Sequence, residues 1–472
     1  MKKYTIILLL LVASTITAFS QWSSPVNVSN LPERDMHAAT SVDPNGVIHC
    51  VWTHFINTGF RKIYYSKSSD FGDTWSVPLD LSQNNDSTAS SPQIVISSTG
   101  YLFIVYNQGY MGYSGITYMV SNKNGIWKKQ KVANFIYGFR GIIMDHDDNL
   151  YLFLHHSSKI YYKIFDGQTW SNIYPTYDQY TFINDVIADQ QNNLNFAGLK
   201  YTADLNYRLI YGIYQADSNL WQPVYEYAID SAETPVIGLD QDDLPHIFYR
   251  KKSQINYNWF HPQYYIRFDG NNWSEPMLIC HNSYDHDFIV NTQNHIYLFT
   301  TEIDEDENTD LVYRQIQNGI ITDMSVVNGS NENFSLGHPE PVLQGNTLGI
   351  TYIKPFGSFD CDVFYNSMDL ISKAENTYSS ESQLFSSYPN PSDGEFFIES
   401  NSKIVEPVEI KVINSEGEVI YETFLSCDGE FFRYRINLKQ LKHTYLKDGM
   451  YYLIAENEKL KTIHKCIILN SN

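Results

Sequence analysis

The sequence predicts an all-β chain in which a seven-bladed β-propeller, closed by the N-terminal strand, precedes a small C-terminal β-sandwich. Three observations indicate this class. Aromatic residues make up 15% of the chain and include 37 tyrosines, a composition that favours strands. Short alternating apolar segments recur throughout, whereas long helical periodicity is almost absent. A unit of four such segments repeats about every 44 to 54 residues, the period of propeller blades.

The repeat is clearest in residues 40–79. A turn from Asp43 to Gly46 joins two apolar segments, a third segment follows, and the fourth opens with Trp75. The first residue of this turn occurs seven times along the chain, at Asp43, Ser97, Asp145, Asp189, Asp240, Asn291 and Gln344. The outer tryptophan recurs at Trp127, Trp170, Trp221 and Trp273. This spacing predicts seven blades, with six or eight as the alternatives.

The two ends of the repeat array complement each other. The seventh repeat ends after its third segment, at residues 363–366, and residues 22–29 match the outer segment that begins at Trp75. We therefore expect the N-terminal segment to complete the last blade and so to remove the open edges of the array. A β-sandwich or a solenoid is the alternative.

Composition and charge indicate where the domains begin and end and which classes of partner are excluded. A charged start, an apolar run over residues 6–13 and small residues near Ala18 predict a signal peptide at 1–20, and so an exported protein. The expected domains are a propeller at 21–370, a linker at 371–386 and a second domain at 387–472. The net charge of −21 argues against nucleic acid and anionic membranes as partners. We expect a monomer.

Residues 68–75 (SSDFGDTW) match the Asp-box pattern S-x-D-x-G-x-T-W, with degenerate copies at 165–170 and 268–273. The pattern resembles the BNR repeats of sialidase-like propellers. Physically, the aspartate caps backbone donors in a tight turn, the glycine allows a positive φ, and the tryptophan packs between sheets. The resemblance implies a folding role for these turns and covers residues 22 to about 370 as architecture, because residues 33–37 lack the Arg-Ile-Pro motif of sialidases.

The C-terminal segment carries a second resemblance. Residues 387–398 (SYPNPSDGEFFI), 410–417, 448–453 and 465–469 form alternating strands separated by Asn/Gly turns. This segment resembles the type A C-terminal sorting domain of type IX secretion cargo in Bacteroidota-type bacteria. The resemblance implies recognition by the secretion machinery, transport across the outer membrane, and release or anchoring at the cell surface.

Candidate functional residues follow from the register of the repeats. Residues six positions before each turn residue, together with the ends of the second strands, are expected to meet at one end of the central channel, the usual ligand site of a propeller. The candidate catalytic residues are His37, Arg140, Asp185, Glu233, Asp285, His286 and His338. The candidate ligand-binding residues are His54, His156, Arg250, Lys354 and Tyr284. Taken singly, a histidine here could instead bond the neighbouring backbone.

Two functions remain open from the sequence. In the first, the propeller binds a glycan or another extracellular ligand through polar residues and exposed tyrosines. In the alternative, it is a polysaccharide lyase using histidine and arginine, or a glycoside hydrolase using paired carboxylates. No cofactor is expected. The acidic residues between Glu302 and Asp310 lack the glycine-punctuated spacing of a calcium loop, so a solvated loop is preferred.

Overall fold

The computed structural model describes most of residues 22–370 and 385–468. The gaps are residues 57–58, 84–86, 110–114, 135–137, 157–158, 177–180, 203–205, 217, 219, 228–230, 256–257, 304–307, 318, 331–336, 357–359, 389–393, 401–406, 415–418, 426–432, 441–448 and 457–460. The predicted signal peptide, residues 371–384 of the predicted linker, and four of the six acidic residues from Glu302 to Asp310 lie outside the described residues. The described part is all-β, as predicted, apart from one 3-10 turn at Leu438–Gln440.

Seven four-stranded antiparallel sheets account for most of the described residues before 370. Six are meanders that run from the inner strand outwards, as in propeller blades, and the seventh takes its outer strand from the N-terminal segment. Sheet 1 is β2 (Asp35–Val42), β3 (Ile48–Phe55), β4 (Arg61–Ser68) and β5 (Leu79–Asp80). Sheet 2 is β6 (Thr88–Ile96), β7 (Leu102–Gly109), β8 (Ile116–Lys123) and β9 (Ile126–Ala133). Sheet 3 is β10 (Gly138–Met144), β11 (Leu150–His156), β12 (Lys159–Phe165) and β13 (Tyr174–Pro175).

The remaining sheets follow the same plan. Sheet 4 is β14 (Thr181–Ala188), β15 (Leu194–Tyr201), β16 (Tyr207–Gln215) and β17 (Leu220–Glu226). Sheet 5 is β18 (Ala232–Leu239), β19 (Pro245–Lys251), β22 (Gln263–Arg267) and β23 (Met277–Cys280), and it carries the hairpin β20 (Ser253–Ile255) and β21 (Asn258–Phe260). Sheet 6 is β24 (Ser283–Val290), β25 (Ile296–Ile303), β26 (Thr309–Gln317) and β27 (Ile320–Ser330). Sheet 7 is β28 (Gly337–Gln344), β29 (Thr347–Phe356), β30 (Asp360–Asp369) and β1 (Val26–Asn27).

The sheets pack side by side in chain order. The inner strand of each sheet contacts the inner strand of the next, and β28 of sheet 7 contacts β2 of sheet 1. A buried apolar cluster fills the space between each pair of neighbouring sheets. The cluster between sheets 7 and 1 includes Trp52, which is fully buried, together with Val363 and Tyr365. Burial of these apolar faces is what holds neighbouring sheets together.

The outer strand of sheet 7 comes from the N-terminus. Val26 pairs with Tyr365 and Asn27 with Phe364, and the Val28 N–H donates to the Val363 carbonyl at 2.8 Å. The indole of Trp22 lies edge-on against two aromatic rings of sheet 6 at centroid distances of 5.7 and 5.5 Å. Sheet 7 therefore joins the first described residues of the chain to residues more than 330 positions later.

The Asp-box turn of sheet 1 has the expected geometry. Asp70 accepts hydrogen bonds from the backbone N–H of Thr74 at 2.9 Å and from its hydroxyl at 2.5 Å. The Trp75 indole N–H donates to the Gly72 carbonyl at 3.1 Å, with Gly72 at a φ of 94°. These bonds satisfy the donors of a tight turn, which indicates a folding role for it.

The described part of the C-terminal segment forms two further sheets. They are β31 (Phe385–Tyr388), β32 (Glu395–Ser400) and β35 (Arg433–Asn437), and β34 (Val419–Leu425), β33 (Val408–Asn414), β36 (Gly449–Glu456) and β37 (Lys461–Ile468). Their apolar residues form a cluster of their own around Phe396, Ile410 and Leu453. Within the described residues no helix is long and apolar enough to cross a membrane.

Candidate functional site

Every inner strand of the seven sheets is interrupted by a β-bulge near its start. The register with the second strand shifts between Met36/Ala39, Ser90/Gln93, Phe139/Gly141, Ile183/Asp185, Glu233/Val236, Ser283/Asp285 and Gly337/Glu340. The bulges lie at equivalent positions, at the opposite end of each inner strand from the turn to the second strand. We call the surface that they form the bulge face. Bulges often occur beside functional sites, where they redirect side chains.

Four of the bulges hold a residue other than glycine at positive φ. These residues are His37 at 52°, Ser91 at 54°, Thr234 at 43° and His338 at 50°. Such a φ is unfavourable for side chains with a Cβ, and most of all for the β-branched Thr234. Backbone strain of this kind is concentrated at functional sites. The repeated bulge therefore makes this face the best candidate site.

His37, His338 and Asp285 are brought together on the bulge face. The two imidazole rings lie 5.2 Å apart, and Asp285 Oδ2 lies 3.3 Å from His338 Nδ1. The same carboxylate oxygen accepts the His338 backbone N–H at 3.0 Å. Burial, with smaller contributions from His338 and two arginines, lowers the pKa of His37 to about 4. His37 is therefore neutral at pH 7, while the His338 side chain remains 43% exposed.

The two arginines are Arg34 and Arg61, and both guanidinium groups stack on one ring. They lie 5.5 and 4.6 Å from the centroid of Phe55. Neither forms an ion pair with a carboxylate of the described residues. Sequence analysis did not identify this pair, because Arg61 opens the third strand and Arg34 precedes the first. The result is a cationic patch beside His37 on an otherwise acidic protein.

Arg250 and Tyr284 lie on the same face but act differently. The Arg250 guanidinium donates to the Thr234 hydroxyl at 3.0 Å and to the carbonyls of Ser283 and Tyr284. It therefore ties two neighbouring bulges together. The Tyr284 side chain is 52% exposed and available to a ligand.

Two further candidates are paired with partners from neighbouring strands. Glu233 lies 2.8 Å from Nδ1 of His261, a residue that sequence analysis did not identify. His54 is buried and lies 2.8 Å from Asp35, which is fully buried. Burial raises the pKa of Asp35 despite its histidine partner. Asp35 directly follows Arg34 of the cationic patch in the sequence.

A second group of carboxylates lies two residues further along the inner strands. Asp185 accepts the N–H groups of Val186 at 2.8 Å and, from the next sheet, of Ile237 at 2.9 Å. Burial raises its pKa to about 6. Burial, together with the neighbouring carboxylates, also raises the pKa of Asp287 and of Glu340 well above the ordinary range. Asp185 thus fastens two sheets, and Asp287 and Glu340 are additions to the predicted set.

The other predicted residues do not join the histidine pair. His286 is 4% exposed, and neither ring nitrogen has a hydrogen-bond partner among the described atoms. His156 lies 6.4 Å from the Tyr161 ring, and Lys354 lies over the Phe364 ring at 5.7 Å. The side chain of Arg140 lies outside the described part of the chain. Among the described residues, no three His, Cys, Asp or Glu side chains could hold a metal ion.

Comparisons with known proteins agree with the two resemblances. Residues 386–469 match the model of the secretion system C-terminal sorting domain, so the chain carries a type IX secretion tail. No match was found among curated proteins.

One solved structure shares the fold of the sheet array, and others are similar to it at lower TM-scores. A PL25 ulvan lyase bound to -[GlcA(1-4)Rha3S]- has a TM-score of 0.51 at 12% identity, covering 73% of this chain and 93% of that chain. A protein of unknown function from Dyadobacter fermentans has a TM-score of 0.49 at 10% identity, with coverages of 73% and 97%. The NanB sialidase of Streptococcus pneumoniae has a TM-score of 0.43 at 14% identity, with coverages of 75% and 70%. At these identities the likeness concerns the fold alone.

Proposed function

We propose that this chain is an exported, closed seven-bladed β-propeller that binds an acidic extracellular polysaccharide at its bulge face. The observation that carries the proposal is the cationic patch of Arg34 and Arg61 beside the neutral His37. The contacts of β28 with β2 and the pairing of β1 with β30 support closure of the ring. Closure is what would bring residues from the first and last repeats onto one face.

The charge distribution favours an anionic ligand at this position. The chain carries a net charge of −21, so an arginine pair that has no carboxylate partner among the described residues is unusual on its surface. The Phe55 ring holds both guanidinium groups, which reduces the side-chain entropy lost when a carboxylate or sulfate binds. Arginine is well suited to such groups because its planar donors can bind two oxygens at once.

The destination of the protein supports a polysaccharide as the ligand class. A type IX sorting tail implies a place outside the cell, where acidic polysaccharides are abundant polymers. The ulvan lyase with the same fold is bound to a glucuronate-containing chain. The exposed Tyr284 and the polar bulge residues offer the mixture of apolar and hydrogen-bonding groups that sugars require.

The His338–Asp285 pair favours a second candidate, an acidic-polysaccharide lyase. Asp285 holds Nδ1 of His338 at 3.3 Å, which leaves Nε2 available to accept a proton. In such a reaction His338 takes the proton on the carbon beside a uronate carboxylate. The C–O bond to the next sugar then breaks, a C=C bond forms, and the departing oxygen takes a proton from water. The arginines would stabilise the negative charge that develops at the carboxylate.

Arg61→Ala is expected to weaken binding of a uronate-containing polysaccharide about tenfold, and Arg34→Ala with Arg61→Ala about a hundredfold. Binding should also weaken as salt is raised. Calorimetric titration of the intact chain with acidic and neutral polysaccharides measures this. Lys67→Ala is the matched control, because it removes one positive charge from an exposed position further along the same strand β4. Equal affinity for neutral chains, or an Arg61→Ala protein that binds like the control, would contradict the proposal.

The same incubations separate binding from cleavage. A lyase releases unsaturated ends that absorb in the ultraviolet, and His338→Ala should abolish their release while leaving affinity within a few-fold. A chain that binds but releases no product supports the binding function alone.

A further inference from the structure

The opposite ends of the inner strands, where each turns into the second strand, form a separate surface. Five of these turns are joined in series by four hydrogen bonds, each from a backbone N–H of one turn to an Asp or Asn side chain of the next. The pairs are Ser98 with Asp148 at 2.7 Å, His146 with Asn192 at 2.9 Å, Gln190 with Asp243 at 3.3 Å and Gln241 with Asn294 at 2.9 Å. Each acceptor has a positive φ, the conformation that presents its side chain to the preceding turn.

The series ends between sheets 6 and 7. The turn of sheet 6 has five residues between Val290 and Ile296, whereas the turn of sheet 7 has only Gly345 and Asn346. The short turn therefore has no Asp or Asn in the equivalent position to accept from sheet 6. Gln344 packs instead towards sheet 1, where its side chain occupies the space that a Cβ on Gly46 would fill.

A crevice of about 210 Å³ opens at this interruption. It is smaller than the ~300–1,000 Å³ of sites for drug-sized ligands, so it suits a group the size of one sugar ring. Hydrogen-bonding side chains dominate its lining. None of the described lining residues is a lysine or an arginine. They include Asn291, Gln293, His295, Gln315, Asp323 and Asn346.

The inner wall of the crevice is held in place by its own contacts. Asn291 accepts from the N–H groups of Gln293 at 2.8 Å and His295 at 2.9 Å, and its amide donates to the Tyr297 hydroxyl at 3.0 Å. Tyr313 lines the crevice and packs against Trp22 at 5.5 Å. A wall fixed in this way loses little entropy when a ligand binds.

We propose that this crevice is a second binding site, which takes a single neutral sugar unit, such as a terminal residue or side branch of a glycan. Amide and carboxylate groups offer both donors and acceptors to adjacent sugar hydroxyls. The described lining offers no lysine or arginine to bind a carboxylate or a sulfate, and Asp323 adds a carboxylate to it, so the crevice disfavours a uronate or a sulfate. The site is independent of the bulge face, since it lies at the other end of the inner strands.

Titration of the intact chain with a panel of neutral and acidic monosaccharides, followed by saturation-transfer NMR, tests the proposal. A neutral monosaccharide is expected to bind with millimolar affinity, and the Gln293→Ala, Asn346→Ala double variant to bind at least tenfold more weakly. Both substituted residues are exposed, so the fold should be retained. Asn346→Trp, which places a large ring at the mouth of the crevice, should abolish binding.

Gln241→Ala is the matched control, an exposed glutamine in the turn of sheet 5. It is expected to leave binding of the neutral sugar unchanged. If no neutral sugar binds, if acidic sugars bind the Arg34→Ala, Arg61→Ala variant of the bulge face as well as neutral ones do, or if the crevice variants bind like Gln241→Ala, the site does not exist as described.

Discussion

A chain that begins at Asn30 is expected to be less stable to unfolding than the chain that begins at Gln21 by at least about 4 kcal/mol. The lost segment buries Val28 fully and half-buries Trp22, each contributing about 1.5–3 kcal/mol. Loss of the segment also removes the hydrogen bond from Trp22 Nε1 to Ser325 at 3.2 Å and the hydrogen bond from Asn27 to Asp362 at 2.7 Å, each contributing about 1 kcal/mol. The strand β30 would in addition be left as an unpaired edge that promotes aggregation.

Denaturant unfolding of the two chains, monitored by tryptophan fluorescence and circular dichroism, measures this difference. Ser24→Ala in the longer chain is the control, because Ser24 is exposed within the same segment. Trp22→Ala should show a partial loss of about 2 kcal/mol. Equal stability of the two chains would mean that the N-terminal segment is not an integral strand of sheet 7.

Replacing Asp287 with Asn and Glu340 with Gln is expected to stabilise the protein at pH 8 and to have almost no effect at pH 4. Burial raises the pKa of both carboxyl groups, and their mutual repulsion and that of Asp185 raises it further. The hydrogen bond from the Phe288 N–H to Asp287 Oδ1, at 2.8 Å, can be kept by asparagine.

The direction of this pH dependence follows from the number of protons that the folded and unfolded chains bind. A carboxyl group whose pKa is higher in the folded than in the unfolded chain stabilises the fold fully below about pH 4, and this stability is lost as the pH rises to the folded pKa. The neutral variants cannot ionise, so their advantage grows with pH through the range above pH 4. His37, whose pKa burial lowers to about 4, is present in both proteins.

Melting temperatures of the variant and the parent between pH 4 and pH 8 give the difference. Glu275→Gln is the matched control at an exposed carboxylate and should show no trend. A difference that is independent of pH, or a variant that is less stable at pH 8, would show that the three carboxylates do not share a buried environment.

The sequence was sufficient for the repeating features of the fold. Regular spacing of turn residues and outer tryptophans predicted an array of four-stranded sheets, because each unit buries its apolar faces against its neighbours in the same way. The sorting tail was also recognised correctly, since its turn and strand motifs are local in sequence. Both features depend on patterns that are local in the chain, and a single sequence displays such patterns directly.

The candidate site was predicted less completely, because the bulges have no clear sequence signal. Counting six residues back from each turn found His37, Asp285 and His338. The extra residue at each bulge changes the direction of the strand beyond it. Counting four residues back from each turn, instead of six, would have found Asp287 and Glu340 along with Asp185. Arg34 and Arg61 meet only through Phe55, on three different segments, and no spacing in the sequence indicates that contact.

The central claim is that the first and last repeats meet, so that their polar residues share one face. Asn27 and Phe364 are a non-hydrogen-bonded pair, since the adjacent Val28 N–H bonds to Val363, and their Cα atoms should lie about 4.5 Å apart. Oxidation of the Asn27→Cys, Phe364→Cys double variant, followed by peptide mass mapping, tests this contact. Pairing of the N-terminal segment with β30 predicts a quantitative 27–364 disulfide that neither single variant forms and that raises the melting temperature. Free thiols at both positions in the folded protein would contradict it.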